Sequence, residues 1–340
     1  MRKPSSSAIW SRRLELGTLA AVAALLFPLG AAMTIDAPTA RAGFDPAAFD
    51  FWVDSPVMGP IKTRVLRARD GNTQRVVYAL DGMRAPETLS GWEIETGVPA
   101  LLADWNINVV MPVGGMSSFY ADWNAPSSFS DVGSSSGSGG PTGPGKSYRY
   151  DWETFLTRDL RNALNERLGF NSYRNGVFGL SMGGSAALTL AAYHPDQFSF
   201  AGSMSGFLNI SAPGMREALR IGMIDAGGYN VDSMAPPWGP SWLRMDPFVF
   251  APNLVANGTR LWIASGSGLP MDGDIHSALD VIQGMPLEGL ALANTRAFQV
   301  RMDTLGGGNA FYSYPAGIHN WHNWIDEAAR MAPDLSANIG

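Results

Sequence analysis

The chain has no cysteine among its 340 residues. Disulfide staples, thiolate zinc sites and a cysteine nucleophile are excluded together. Histidine is nearly as scarce, so a histidine base near neutral pH must be His194, His276, His319 or His322. Charge is sparse too: 16% of residues are Asp, Glu, Lys or Arg, against roughly 25% in ordinary globular proteins. The formal net charge is −6, and no Lys/Arg run interrupts the body of the chain. A nucleic-acid footprint is therefore missing. What is plentiful is apolar: 46% of residues are hydrophobic and 11% aromatic, enough to bury a large core.

The apolar wealth starts with a leader. Arg2, Lys3, Arg12 and Arg13 precede an apolar stretch over residues 16–33, and Ala40-Arg41-Ala42 follows. A basic segment, an apolar segment and a small-x-small site predict a secretory signal peptide over residues 1–42. The competing reading is an uncleaved anchor helix, which Pro28 and Gly30 disfavour. Ser11-Arg12-Arg13 is a faint twin-arginine signal that decides nothing between export routes. Cleavage removes five basic residues and two acidic ones, leaving a more acidic exported domain over residues 43–340.

Within that domain, continuous apolar runs recur at residues 75–80, 108–112, 176–179, 200–204, 259–265 and 310–314. Runs without alternation suit strands buried on both faces. Helical stretches lie between several of them. Residues 151–168 repeat leucine every fourth position behind Asp151, a favourable N-cap residue. Residues 185–193 and 321–331 also read as helices. The alternation predicts one α/β domain with a mainly parallel sheet. Residues 127–145 form a Ser/Gly/Pro loop, expected as a surface insertion. Residues 213–252 interrupt the alternation with Met234, Trp238 and Trp242, where this fold class places a cap over its site.

The chemistry sits in Gly179-Leu180-Ser181-Met182-Gly183, between an apolar strand and a small-residue helix. That context makes the G-x-S-x-G string a nucleophile elbow, with Ser181 exposed at the turn and the Met182 amide turned toward an oxyanion. His319 follows the last strand, as the chain order Ser, acid, His requires. His322 is the runner-up, His194 reads as a helix C-cap and His276 as a loop residue. For the acid the residues leave alternatives open: Asp272 and Asp274 follow the strand at 259–265, and Glu288 lies in an apolar setting. The second oxyanion amide is expected at Met83, in the turn that ends the strand at 75–80. Asp81 and Arg84 flank that turn, and their plainer reading is a surface ion pair.

Several strings, in order, resemble the antigen 85 mycolyltransferases of mycobacteria and corynebacteria: YALDGMRA (78–85), MPVGGMSSFYADW (111–123), WETFLTRDL (152–160), GLSMGGSAAL (179–188), AAYHPDQF (191–198), DAGGYN (225–230), LVANGTRLWI (254–263) and IHNWHNW (318–324). The resemblance runs from about residue 44 to the C-terminus, with the corynebacterial branch as a fitting home. It implies an exported α/β-hydrolase-fold acyltransferase of the cell envelope. Such enzymes move mycolic acids between trehalose monomycolates or onto arabinogalactan, without metal or cofactor. Carried over by position, the nucleophile is Ser181, the base His319 and the acid Glu288. The oxyanion amides are those of Met83 and Met182. Sugar contacts fall on Asp81, Met83, Arg84, Asn209, His319, Asn320 and Trp321.

The chain departs from the family at several points. Ser265 replaces a cysteine, Ala293 replaces a basic residue, and the loop at 127–145 is longer. Residues 100–110 align with a fibronectin-binding stretch without resembling it, so fibronectin binding is not implied. Two other functions compete with acyl transfer to a sugar: a secreted serine carboxylesterase, and a non-catalytic wall- or matrix-binding protein. An intact Ser–His–acid set argues against the last.

Overall fold

The computed structural model describes residues 45–127, 146–271, 274 and 278–340. The leader, most of the Ser/Gly/Pro loop, Asp272 and His276 lie outside the described residues. Eight strands form one sheet: β1 Phe49–Ser55, β2 Gly59–Leu66, β3 Val76–Leu80, β4 Asn108–Pro112, β5 Asn175–Leu180, β6 Phe198–Met204, β7 Arg260–Ala264 and β8 Ala310–Ser313. Their order is β1-β2-β4-β3-β5-β6-β7-β8. The β1–β2 and β2–β4 pairs are antiparallel and all others parallel. The six apolar runs are the six strands β3 to β8. The antiparallel β1–β2 hairpin is an addition, and β1 alternates buried and exposed side chains as an edge strand does.

The helices are α1 Gly91–Glu95, α2 Val98–Asp104, α3 over residues 152–168, α4 Met182–Tyr193, α5 Met215–Asp225, α6 Val231–Met234, α7 Pro240–Arg244, α8 Pro247–Asn257, α9 Ala278–Thr304 and α10 Trp321–Asn338. None is long and apolar enough to cross a membrane. Side chains alternate across the sheet, so each strand feeds two cores. Val76, Tyr78 and Leu80 join the core beneath α3, α4, α8 and α9. Val77 and Ala79 join the opposite core, with Trp92, Leu102, Met331 and Leu335 from α1, α2 and α10.

Two local expectations change. Helix α3 is not regular: a π-turn at Phe155–Asp159 joins Trp152–Thr154 to Leu160–Leu168. Asp151 stands at the N-cap position, but its side chain makes no cap. It accepts from Arg149 instead, while Asp122 receives the Thr154 amide at 3.1 Å and the Thr154 hydroxyl at 2.6 Å. The helix start is thus satisfied from another loop. Helix α9 was not anticipated, because Gly284, Pro286 and Gly289 interrupt its sequence. The helix carries Pro286 within it nonetheless.

Candidate active site

In a parallel sheet the strand C-termini share one edge, and ligands bind beyond it. Here Asp81 directly follows β3, Ser181 β5, Ser205 β6 and Ser265 β7, while His319 comes after β8. Ser181 has φ 51° and ψ −119°, a conformation costly for a residue with a Cβ. Its amide donates to the Met204 carbonyl at 2.8 Å, and its carbonyl accepts from Ser185 at 3.2 Å. The turn is over-determined by its glycines. A Cβ at Gly179 would stand 2.5 Å from the Gly183 carbonyl carbon, and one at Gly183 would collide with the Asp81 carbonyl oxygen. The same approach brings the 81–83 turn alongside: a Cβ on Gly82 would lie 3.6 Å from that of Ser181. Among the described hydrogen bonds, the amides of Met83 and Met182 have no backbone acceptor. They are donors free for a ligand.

His319 Nδ1 lies 2.8 Å from Glu288 Oε2. Glu288 is fully buried, and its Oε1 accepts from the Ser205 hydroxyl at 2.7 Å, the Ser265 hydroxyl at 3.1 Å and the Gly266 amide. Burial pushes this carboxyl up, but the hydrogen bond and charge of His319, with the Ser205 and Gly266 donors, outweigh it and hold Glu288 below the usual range. The imidazole is held by its neighbours as well. Phe207 stacks at 6.2 Å between ring centroids, and Trp324 meets it edge-on at 5.0 Å. The Trp324 indole N–H donates to Ser205 at 2.9 Å, tying the ring wall to a donor of Glu288.

Among the described residues, the other candidates for acid and base are occupied elsewhere. Asp274 is buried; its Oδ1 accepts from Asn320 at 2.9 Å and lies 3.1 Å from His322 Nδ1. His194 caps α4 and reaches Glu153 at 2.7 Å, a carboxylate also held by Arg244.

Ser181 and His319 open into one cavity of about 660 Å³. Its lining includes Asp81, Met83, Arg84, Asn320 and Trp321, together with apolar Leu219, Ile221, Ile282, Leu287 and Leu290 from α5 and α9. Helix α5 comes from the Trp/Pro-rich excursion, which does cover the site. Asp81 and Arg84 do not pair, contrary to the plain reading of their spacing: Arg84 bonds Asp225, both exposed. Asp81 is fully buried, with Oδ2 accepting from Ser90 at 3.1 Å and from the Gly91 amide at 3.0 Å. Its Oδ1 has no partner among the described residues. Burial pushes its carboxyl up to about 7, with Glu95 adding to the rise and the Gly91 and Ser90 donors opposing it.

Asn209 stands apart from the cavity lining, its amide donating to Asn294 at 2.9 Å. Asn320 caps α10 through the Asn323 amide at 3.1 Å. Sequence reasoning missed Ser205, Trp324 and Tyr120, whose hydroxyl receives the Asp81 amide at 3.0 Å. Their one signal is position: Ser205 directly follows β6, while Tyr120 and Trp324 fall within the strings at 111–123 and 318–324.

This fold with this cavity defines an α/β-hydrolase protein of the esterase kind, and the Putative esterase family matches residues 58–335. Closer relatives narrow the class. The diacylglycerol acyltransferase/mycolyltransferase Ag85B of Mycolicibacterium smegmatis is 40% identical over 347 residues, covering 97% of each chain. The corresponding Ag85C of Mycobacterium avium is 40% identical over 83% of this chain and 75% of its own. The crystal structure of Mycobacterium tuberculosis MPT51 superposes with a TM-score of 0.71 at 31% identity, over 86% of this chain and 99% of that one. The chain belongs to the antigen 85 mycolyltransferase family and is an acyltransferase.

Proposed function

We propose that the protein is exported and takes a mycolyl group from trehalose monomycolate. It passes the group to a second trehalose monomycolate, giving the dimycolate, or to an arabinogalactan hydroxyl. One observation carries this reading: the cavity lined by Ser181 and His319 combines polar side chains suited to a sugar with apolar ones suited to a long acyl chain.

In this mechanism His319 Nε2 takes the Ser181 proton as Oγ attacks the ester carbonyl. Glu288 holds the imidazole by Nδ1 and stabilises its charged form. The Met83 and Met182 amides receive the developing oxyanion. Collapse breaks the ester bond, the imidazolium returns its proton to the departing trehalose oxygen, and mycolyl-Ser181 remains. A sugar hydroxyl then repeats the attack, aligned by Asp81, Arg84, Asn320 and Trp321. Residues 1–42 act as the leader and residues 43–340 as the working domain outside the membrane.

Incubation with trehalose monomycolate tests this directly. The expected products are dimycolate, free trehalose and a mycolyl adduct at Ser181. Free mycolate alone at saturating sugar makes the protein an esterase. An exported form beginning at Gly43 checks the leader; retention of residue 1 makes that segment an anchor.

A further inference from the structure

A second, smaller cavity of about 120 Å³ lies on the far side of α5 from the acyl cavity. Helical spacing puts Ala218, Leu219 and Gly222 on one face and Arg216, Glu217 and Arg220 on the other. The second face carries polarity that the fold does not use up. Arg216 is buried, with only 7% of its surface exposed, yet among the described residues its Nε and Nη1 have no hydrogen-bond partner. Its Nη2 donates to Asp232 at 2.7 Å and to the Ala235 carbonyl at 2.6 Å, and the guanidinium lies over the Trp242 ring at 4.4 Å. Buried donors left unpaired are uncommon in folded proteins and mark a place where a ligand's acceptors are missing.

Three features select the ligand's chemistry. Trp238 lines the cavity with 63% of its surface exposed, held at φ 57°, a strained backbone for a bulky residue. An indole kept in water at such a cost presents a flat apolar face. Arg216 and Arg220 are matched by Asp232, which both bind, and by Glu217 at the exposed rim. Two cations against two carboxylates leave no net field to hold an anion. The wall thus offers fixed donors, a free acceptor and an aromatic platform to a small neutral molecule. A pyranose has this complement: a C–H face to lie on the indole and vicinal hydroxyls that both accept and donate.

We propose that this cavity is a saccharide subsite, holding one sugar ring on Trp238 with its hydroxyls between Arg216, Arg220 and Glu217. The subsite stands independently of the acyl-transfer reading, because its residues are absent from the acyl cavity.

The experiment uses Ser181→Ala protein with 15N-labelled tryptophan side chains, so that no turnover intrudes. The Trp238 indole signal is assigned by its loss in Trp238→Phe. Methyl α-D-glucopyranoside and trehalose are titrated in turn, with sodium sulfate as the anion control. A saturable shift of that signal with either sugar is expected at a Kd on the order of millimolar. Glu217→Gln or Arg220→Gln, both at surface positions, should weaken it about tenfold. Absence of a saturable shift with both sugars overturns the proposal. So does unchanged affinity in both variants, or an equal shift with sulfate, which would make this an anion site.

Discussion

At the residue scale, the site sets one carboxylate against another. Glu288 and Asp81 are both buried, but Glu288 is surrounded by donors and a histidine, while Asp81 leaves one oxygen unpaired. Their carboxyls therefore shift in opposite directions. Ser181→Ala should lower acyl transfer by about four decades or more with folding intact. Glu288→Gln should cost about two to four decades, measured as kcat on trehalose monomycolate. A mild Glu288→Gln beside a crippling Asp274→Asn would move the acid's role to Asp274. Asp81 makes a prediction about stability. Its folded value of about 7 lies above the ordinary carboxylate value of 3.8, so the folded state binds the extra proton between those limits. Stability from this group is full below pH 3.8 and is lost as pH rises through 7. Asp81→Asn removes that loss. In urea titrations its advantage over wild type should grow by up to about 4 kcal/mol between pH 4 and pH 8. A gap that stays constant with pH would mean Asp81 titrates normally.

At the element scale, the strain at Ser181 is stored where β5 runs into α4, and glycines make that possible. Gly183→Ala should cost about 1–3 kcal/mol and lower kcat, because its Cβ meets the Asp81 carbonyl and must push the elbow away from the 81–83 turn. Gly289, beside Glu288 on α9, has nothing within 4 Å of an added Cβ. Gly289→Ala should leave kcat unchanged and stabilise by up to about 1 kcal/mol through helix propensity. Thermal melts and steady-state rates on the pair distinguish close packing from a general intolerance of glycine replacement. Helix α9 also explains why Glu288 was open to doubt from the residues alone. Glu288 follows β7 in chain order, but it reaches His319 from within a long helix rather than from the segment just after β7. Chain order carries no information on which turn of a helix faces the site.

At the scale of the whole molecule, the outcome of the reaction depends on which acceptor the cavity holds. Water, at roughly 55 M, competes with any sugar for an acyl-enzyme, and a positioned hydroxyl gains its advantage from effective molarity. Arg84 is exposed and paired only with exposed Asp225, so Arg84→Ala should cost at most about 1 kcal/mol of stability. Loss of a charged hydrogen bond to the sugar should cost about 1.5–3 kcal/mol of acceptor binding. The dimycolate-to-free-mycolate ratio should fall accordingly, and a ratio equal to wild type would remove Arg84 from the acceptor site.

The sequence by itself determined the class of fold and the place of the tight strand-to-helix turn that carries Ser181. Six strands buried on both faces leave continuous apolar runs, and the elbow's glycines are demanded by local backbone geometry, so both are written in adjacent residues. The edge hairpin β1–β2 and the broken start of α3 are not, since an edge strand's pattern and a cap supplied from Asp122 depend on neighbours far along the chain. Only the tertiary structure decided which carboxylate meets His319, that Arg84 turns to Asp225 rather than Asp81, and that Asp274 serves Asn320 and His322. Each is a choice among partners of the same chemistry. Such choices are made by distance and burial after the sheet has assembled, and no local pattern encodes them.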